Sequence, residues 1–158
     1  MMKKIKTNVL RLLDQSHIDY EIREYEYDED RLSGNHIVDQ VDLEADEIYK
    51  TLVLKGDKDY LVCCIPVNHE IHLKKLAKVS ENKSVEMIPQ KELLPLTGYM
   101  RGGCSPIGMK KKFKTYFQED IILIDRVAVS AGKRGLQVVL KPQDLIDYVD
   151  GIYVDVIQ

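Results

Sequence analysis

Tyr49-Lys50-Thr51-Leu52-Val53-Leu54, then Lys55-Gly56-Asp57-Lys58-Asp59, then Tyr60-Leu61-Val62-Cys63-Cys64-Ile65-Pro66-Val67 is the stretch that decides the fold. Two apolar, β-branched runs flank a short charged segment with one glycine, the signature of a β-hairpin. Cys63-Cys64-Ile65 places the second strand deep in the core. Strand-like runs recur downstream at residues 115–117, 121–124, 127–129, 136–140 and 152–157, and a nearly alternating Tyr-Glu-Ile-Arg-Glu-Tyr-Glu-Tyr at 20–27 predicts a half-buried strand upstream. Val85-Glu86-Met87 reads as a further short strand.

Helices fit between them without regular alternation. Ile5, Val9, Leu12 and Leu13 form one helical stripe over 5–16. Ile37, Val38 and Val41 predict a short helix capped by Ser33 or Asn35, after an acidic loop at Asp28-Glu29-Asp30. Ile71 to Val79 is amphipathic, with Lys74, Lys75 and Lys78 on its wet side. Pro89 opens another helix at its first turn, and Pro142 starts one that ends near Asp150. Strands dominate and no linker or repeat divides the chain. The expected class is therefore α+β: a curved mixed β-sheet or barrel surrounded by helices, in one domain over 1–158.

Composition bounds the function. The chain has 158 residues, 44% hydrophobic and 31% charged, with a net charge of −3. These are globular values and exclude a disordered, fibrous or disulfide-built protein. No run reaches the roughly 20 apolar residues of a membrane span, and no apolar stretch follows the first lysines as in a secretory signal. Three cysteines, an odd number, without CxxC or zinc-type Cys/His spacing, predict free thiols in the cytoplasm; no metal or other cofactor is expected. The charge is uneven: residues 1–60 carry −6, residues 61–140 carry +6, and residues 141–158 carry −3. The basic middle could attract a phosphate backbone or simply solubilise exposed faces.

Two loops and one lysine could carry chemistry. Gly98, Gly102, Gly103, Pro106 and Gly108 fall within eleven residues, so Gly102-Gly103-Cys104-Ser105-Pro106-Ile107-Gly108 must be a shaped loop. Such a loop aims backbone N–H groups at a carbonyl oxygen or phosphate, or else turns a sheet corner. Ser130-Ala131-Gly132-Lys133-Arg134-Gly135, between two strands, forms a cationic tip suited to a phosphate or to solvent. Lys50 opens an apolar strand, where a lysine either faces a ligand pocket or guards a sheet edge. Cys104 is a conceivable thiol nucleophile without a neighbouring histidine. His69 and His72 read better as polar residues at a helix start than as metal ligands, and His17 and His36 carry no signal.

Lys50-Thr51-Leu52, Gly98 through Gly108, and Val129 through Leu136, followed by Pro142-Gln143-Asp144-Leu145, together resemble the YbaK family in order and spacing across almost the whole chain. These are stand-alone aminoacyl-tRNA deacylases related to the editing domain inserted in bacterial prolyl-tRNA synthetases. The likeness is to the cysteinyl-tRNA(Pro) branch rather than to the alanine-specific relatives. The resemblance implies a YbaK-like fold with a pocket for the 3′-terminal adenosine and its amino acid. It implies a carboxylic-ester hydrolase, alternatively classed as a lyase, that uses no protein nucleophile: the substrate's own thiol, or a water held by the tRNA ribose, attacks. Lys50 matches the essential lysine and Gly102 the GxxxP loop that stabilises the oxyanion. Tyr25, Gly103, Cys104, Ser105, Pro106 and Ser130 match positions around the pocket, and Ser33 stands where relatives carry a phenylalanine. Lys110, Lys111 and Lys112, with Lys133 and Arg134, are placed to meet acceptor-stem phosphates. The implied partners are the aminoacyl-tRNA and prolyl-tRNA synthetase, with no membrane. The alternatives are a non-catalytic binder of a tRNA end or nucleotide, and a deacylase for another ester such as alanyl-tRNA(Pro).

Overall fold

The computed structural model describes residues 6–27, 37–38 and 40–158. The hairpin forms as its sequence requires: β2 (Tyr49–Lys55) pairs antiparallel with β3 (Tyr60–Pro66), Lys50 opposite Ile65 and Leu52 opposite Cys63. β5 (Lys114–Gln118) runs parallel to β3 and is followed by β8 (Ile152–Val154), while β4 (Glu86–Met87) caps the other edge. A second sheet has the order β1 (Tyr20–Glu24), β7 (Leu136–Leu140), β6 (Val127–Lys133). A parallel bridge between Ile48 and Ala128 joins the two sheets. Among the described residues the strands thus form a three-stranded and a five-stranded sheet, and their ladders do not close into a barrel.

The alternation of side chains along β3 explains its unbroken apolar sequence. Val62 and Cys64 enter the core between the sheets, with Val129, Val138, Phe117 and α1 (Asn8–Gln15). Leu61, Cys63 and Ile65 enter a second core under α2 (Leu73–Val79). A strand buried on both faces has no position for a polar residue. In α1, Thr7 caps the first turn by accepting from the Leu10 N–H at 3.3 Å. Leu10 and Leu13 are fully buried, worth about 1.5–3 kcal/mol each by transfer. α3 (Gln90–Thr97) and α4 (Pro142–Val149) complete the helices, and Pro142 takes the first helical position.

Several expectations are corrected. Residues 121–124 are not a strand: Glu119–Leu123 is a 3₁₀ turn, because only Ile121 is buried while Leu123 is 77% exposed. The 130–135 segment is mostly strand, since β6 continues to Lys133 through a bulge between Ser130 and Lys133. Pro89 caps α3 from outside. Around Ile37 the described residues show one turn, with the Ile37 carbonyl accepting from Gln40 and Val41. Ser33, Asn35, His36 and the acidic loop lie outside the described residues. Among those described, no helix is long and apolar enough to cross a membrane.

Candidate active site

Register determines which face of β2 Lys50 takes. On β2 the odd positions Tyr49 and Val53 face the inter-sheet core, so Ile48, Lys50 and Leu52 face the other way. Ile48 packs with Ala128 and Val139 in a third apolar cluster, and Leu52 packs against the second. Lys50 sits between those clusters, where the apolar surface opens. The Ile48–Ala128 bridge runs parallel, so two residues further along each strand Lys50 comes alongside Ser130. Ser130 in turn pairs with Gln137 across the β6–β7 ladder.

These residues line a cavity of about 370 Å³ together with Tyr25, Tyr27, Thr51, Arg101, Gly102, Cys104 and Arg134. Lys50 and Gly102, far apart in sequence, face one hollow. Three cations line it, and among the described residues no carboxylate does. The Lys50 side chain is 28% exposed, and its Nζ lies 4.0 Å from Oε1 of Glu70, itself 79% exposed. A solvated partner at that distance is weak, so the cation is available to an anionic ligand.

The glycine loop is held from below. Thr97 accepts at its Oγ1 from the Tyr99 N–H at 3.0 Å, and its carbonyl accepts from the Lys110 N–H at 3.1 Å. The Tyr99 hydroxyl donates to the Ile107 carbonyl, and Ser105 accepts at its Oγ from the Ile107 N–H at 3.2 Å. Gly103, Ser105 and Pro106 are buried beneath the loop surface rather than in the cavity lining. They shape the loop, and Gly102 and Cys104 are the loop residues that reach the cavity. Gly102 has φ +89°, a conformation that strains any residue with a Cβ.

Burial pushes the Cys104 thiol up to about 12, with the Thr97 hydroxyl opposing the shift. It is therefore protonated at neutral pH, and a protonated thiol is a poor nucleophile. Cys104→Ser is expected to keep most of any hydrolytic turnover in an initial-rate assay; a large loss would restore the thiol to the mechanism. His72 caps α2, its Nδ1 accepting from the Lys75 N–H at 3.2 Å, and among the described residues no three His, Cys, Asp or Glu side chains gather as metal ligands.

The basic residues separate. Arg134 joins the cavity, while Lys133 lines an adjoining depression with Tyr25 and Tyr27. Lys111 and Lys112 line another depression with Asp57 and Tyr60, and Lys112 is paired with Asp150. Lys110 packs its stem against Gly98. Sequence reasoning missed Arg101, Tyr27, Thr51 and Gln137. Gln137 is 4% exposed, and its buried Oε1 has no hydrogen-bond partner, a cost of about 1–3 kcal/mol. A ligand donor in the cavity would relieve it. The available signal was one polar residue in Leu136-Gln137-Val138-Val139-Leu140.

Comparison with known proteins follows the same residues. A family model described as an aminoacyl-tRNA editing domain matches residues 35–148. An Enterococcus faecalis protein, EbsC, named as a candidate Cys-tRNA(Pro)/Cys-tRNA(Cys) deacylase, is 44% identical over 152 residues, covering 96% of this chain and 93% of that protein. Proline–tRNA ligase of Staphylococcus aureus is 25% identical over 107 residues, which are 68% of this chain and 19% of the ligase. A crystal structure described as a candidate trans-editing enzyme for prolyl-tRNA synthetase superposes with a TM-score of 0.82, covering 98% of this chain and 99% of that one at 19% identity. That last likeness is one of fold.

Proposed function

The chain belongs to the aminoacyl-tRNA editing domain family, the YbaK family, and from that premise we propose that it deacylates mischarged cysteinyl-tRNA(Pro), and cysteinyl-tRNA(Cys) with it, acting in trans as one domain. The observation that carries this reading is the convergence of Lys50 and Gly102 on a cavity whose described lining holds cations, amides and tyrosines but no carboxylate. A site without a carboxylate or histidine base suits a substrate that brings its own nucleophile.

The scissile bond is an ester between the aminoacyl carboxyl and a ribose hydroxyl. When the substrate's thiol attacks that carbonyl, a C–S bond forms, the C–O bond breaks, and the ribose oxygen takes the proton. Negative charge develops on the carbonyl oxygen, and the Gly102 N–H is the donor proposed to receive it. Lys50 orients the anionic nucleotide end. Tyr25 and Tyr27 offer rings on which the terminal base stacks. Ser130, whose Oγ accepts from the Gly132 N–H at 3.1 Å, and Gln137 supply polar contacts to the aminoacyl-adenosine, while Gly103, Ser105 and Pro106 keep the loop in shape. The two sheets serve as one curved wall behind the substrate.

Exposed Lys110, Lys111, Lys112 and Lys133 are proposed to meet the acceptor stem, with prolyl-tRNA synthetase holding the tRNA in the cytoplasm. The test is to incubate the purified protein with cysteinyl-tRNA(Pro) and alanyl-tRNA(Pro) and follow loss of each ester. Cysteinyl ester should disappear much faster. Preference for alanine reassigns the substrate, and turnover of neither makes the protein a binder.

A further inference from the structure

Arg134 stands at the tip of the β6–β7 hairpin, and its Nε donates to the Arg101 carbonyl oxygen at 2.7 Å. Its guanidinium carbon lies 6.0 Å from the centre of the Tyr27 ring, which steadies the cation. The glycine loop abuts this tip: a Cβ on Gly103 would stand 3.1 Å from the Arg134 nitrogen and 3.3 Å from the Lys133 carbonyl carbon. Those are backbone atoms that cannot swing aside.

The Arg101 carbonyl and the Gly102 N–H belong to one peptide unit. In a trans peptide they point in opposite directions, and no cis bond occurs among the described residues. Fixing the oxygen on the hairpin side therefore turns the N–H the other way. The Gly103 N–H is occupied by the Met100 carbonyl at 2.9 Å. Among the described residues no backbone acceptor takes the Gly102 N–H.

We propose that Arg134 is a positioning residue for the oxyanion site, holding the Arg101–Gly102 peptide plane and polarising it so that the Gly102 N–H is aimed and strengthened. A charged donor on the carbonyl oxygen draws electron density from the amide and makes its N–H a better donor. The alignment exists before substrate arrives, so none is required during the reaction. This role rests on the deacylase reading and replaces the phosphate contact expected for Arg134.

The test combines kinetics on cysteinyl-tRNA(Pro) with amide NMR of ¹⁵N-glycine-labelled protein, for the wild type, Arg134→Lys and Arg134→Ala. Arg134→Ala should lower kcat about 10- to 100-fold, a part of the value of one oxyanion donor, with KM changed less than about two-fold. Arg134→Lys, or guanidinium ion added to the alanine variant, should restore part of the rate. The Gly102 amide resonance should move in the alanine variant while Gly56 stays in place. Unchanged kcat with a raised KM and a flatter salt dependence would make Arg134 a phosphate contact and overturn the proposal. Lost kcat without rescue and without a Gly102 shift would reduce it to general structural support. An inactive wild type refutes the deacylase reading alone, since the Gly102 resonance still reports whether Arg134 sets that peptide.

Discussion

Lys50→Ala is expected to remove ester cleavage, lowering kcat/KM by about 10²-fold or more, while the thermal midpoint stays near that of the wild type. The two halves of this expectation have separate causes. Lys50 belongs to none of the apolar clusters and only weakly meets Glu70 at 4.0 Å, so its truncation leaves β2 held by its ladder to β3. Stability should change within about 1 kcal/mol, as for a surface strand position. Activity is expected to depend instead on a cation within a cavity whose walls are partly apolar, where a charge acts more strongly than in open solvent. Initial rates on cysteinyl-tRNA(Pro), read beside a melting curve, check both. A folded variant with wild-type rates would take Lys50 out of the mechanism.

Gly102→Ala should cost nearly as much rate through a different cause. At φ +89° an alanine is strained by about 1–2 kcal/mol, and the loop relieves that strain by rotating the peptide on which the donor sits. The expected loss approaches the roughly 10²–10³-fold of a deleted oxyanion donor, with the cores untouched because Gly102 lies at the cavity surface. A kcat within a few-fold of the wild type would mean that the amide does not bind the developing charge. If the two residues act on one transition state as proposed, the double variant should lose less than the product of the single losses.

Much of this was legible in the chain. The hairpin could be read because the Tyr49–Leu54 and Tyr60–Val67 runs admit one packing: apolar on both faces at Cys63 and Cys64, with a single lysine out of pattern. The glycine-rich loop declared itself through composition. Assembly was not legible in local pattern. Lys50 and Ser130 converge through one parallel bridge, Ile48 to Ala128, and Gly102 joins them through the Arg134–Arg101 hydrogen bond; no periodicity reports contacts between segments so distant in sequence. The resemblance to an editing family supplied that association instead. At 121–124 an apolar run implied a strand, but the Gln118 amide donating to Asp120 at 2.6 Å and its Oε1 accepting from the Val156 N–H at 2.8 Å accompany a tight turn that leaves Ile122 and Leu123 outside. Arg134 was read as a phosphate contact because sequence gives the residue but not the carbonyl it seeks.

The partly buried, proton-bearing sulfur of Cys104 has a further bearing on the proposed reaction. Cargo that carries a free sulfhydryl invites mixed-disulfide trapping by any ionised thiol beside it, and oxidants attack ionised thiols first. Keeping this sulfur neutral, with Cys63 likewise pushed up to about 12 by burial, would spare a catalyst of cysteinyl esters both fates.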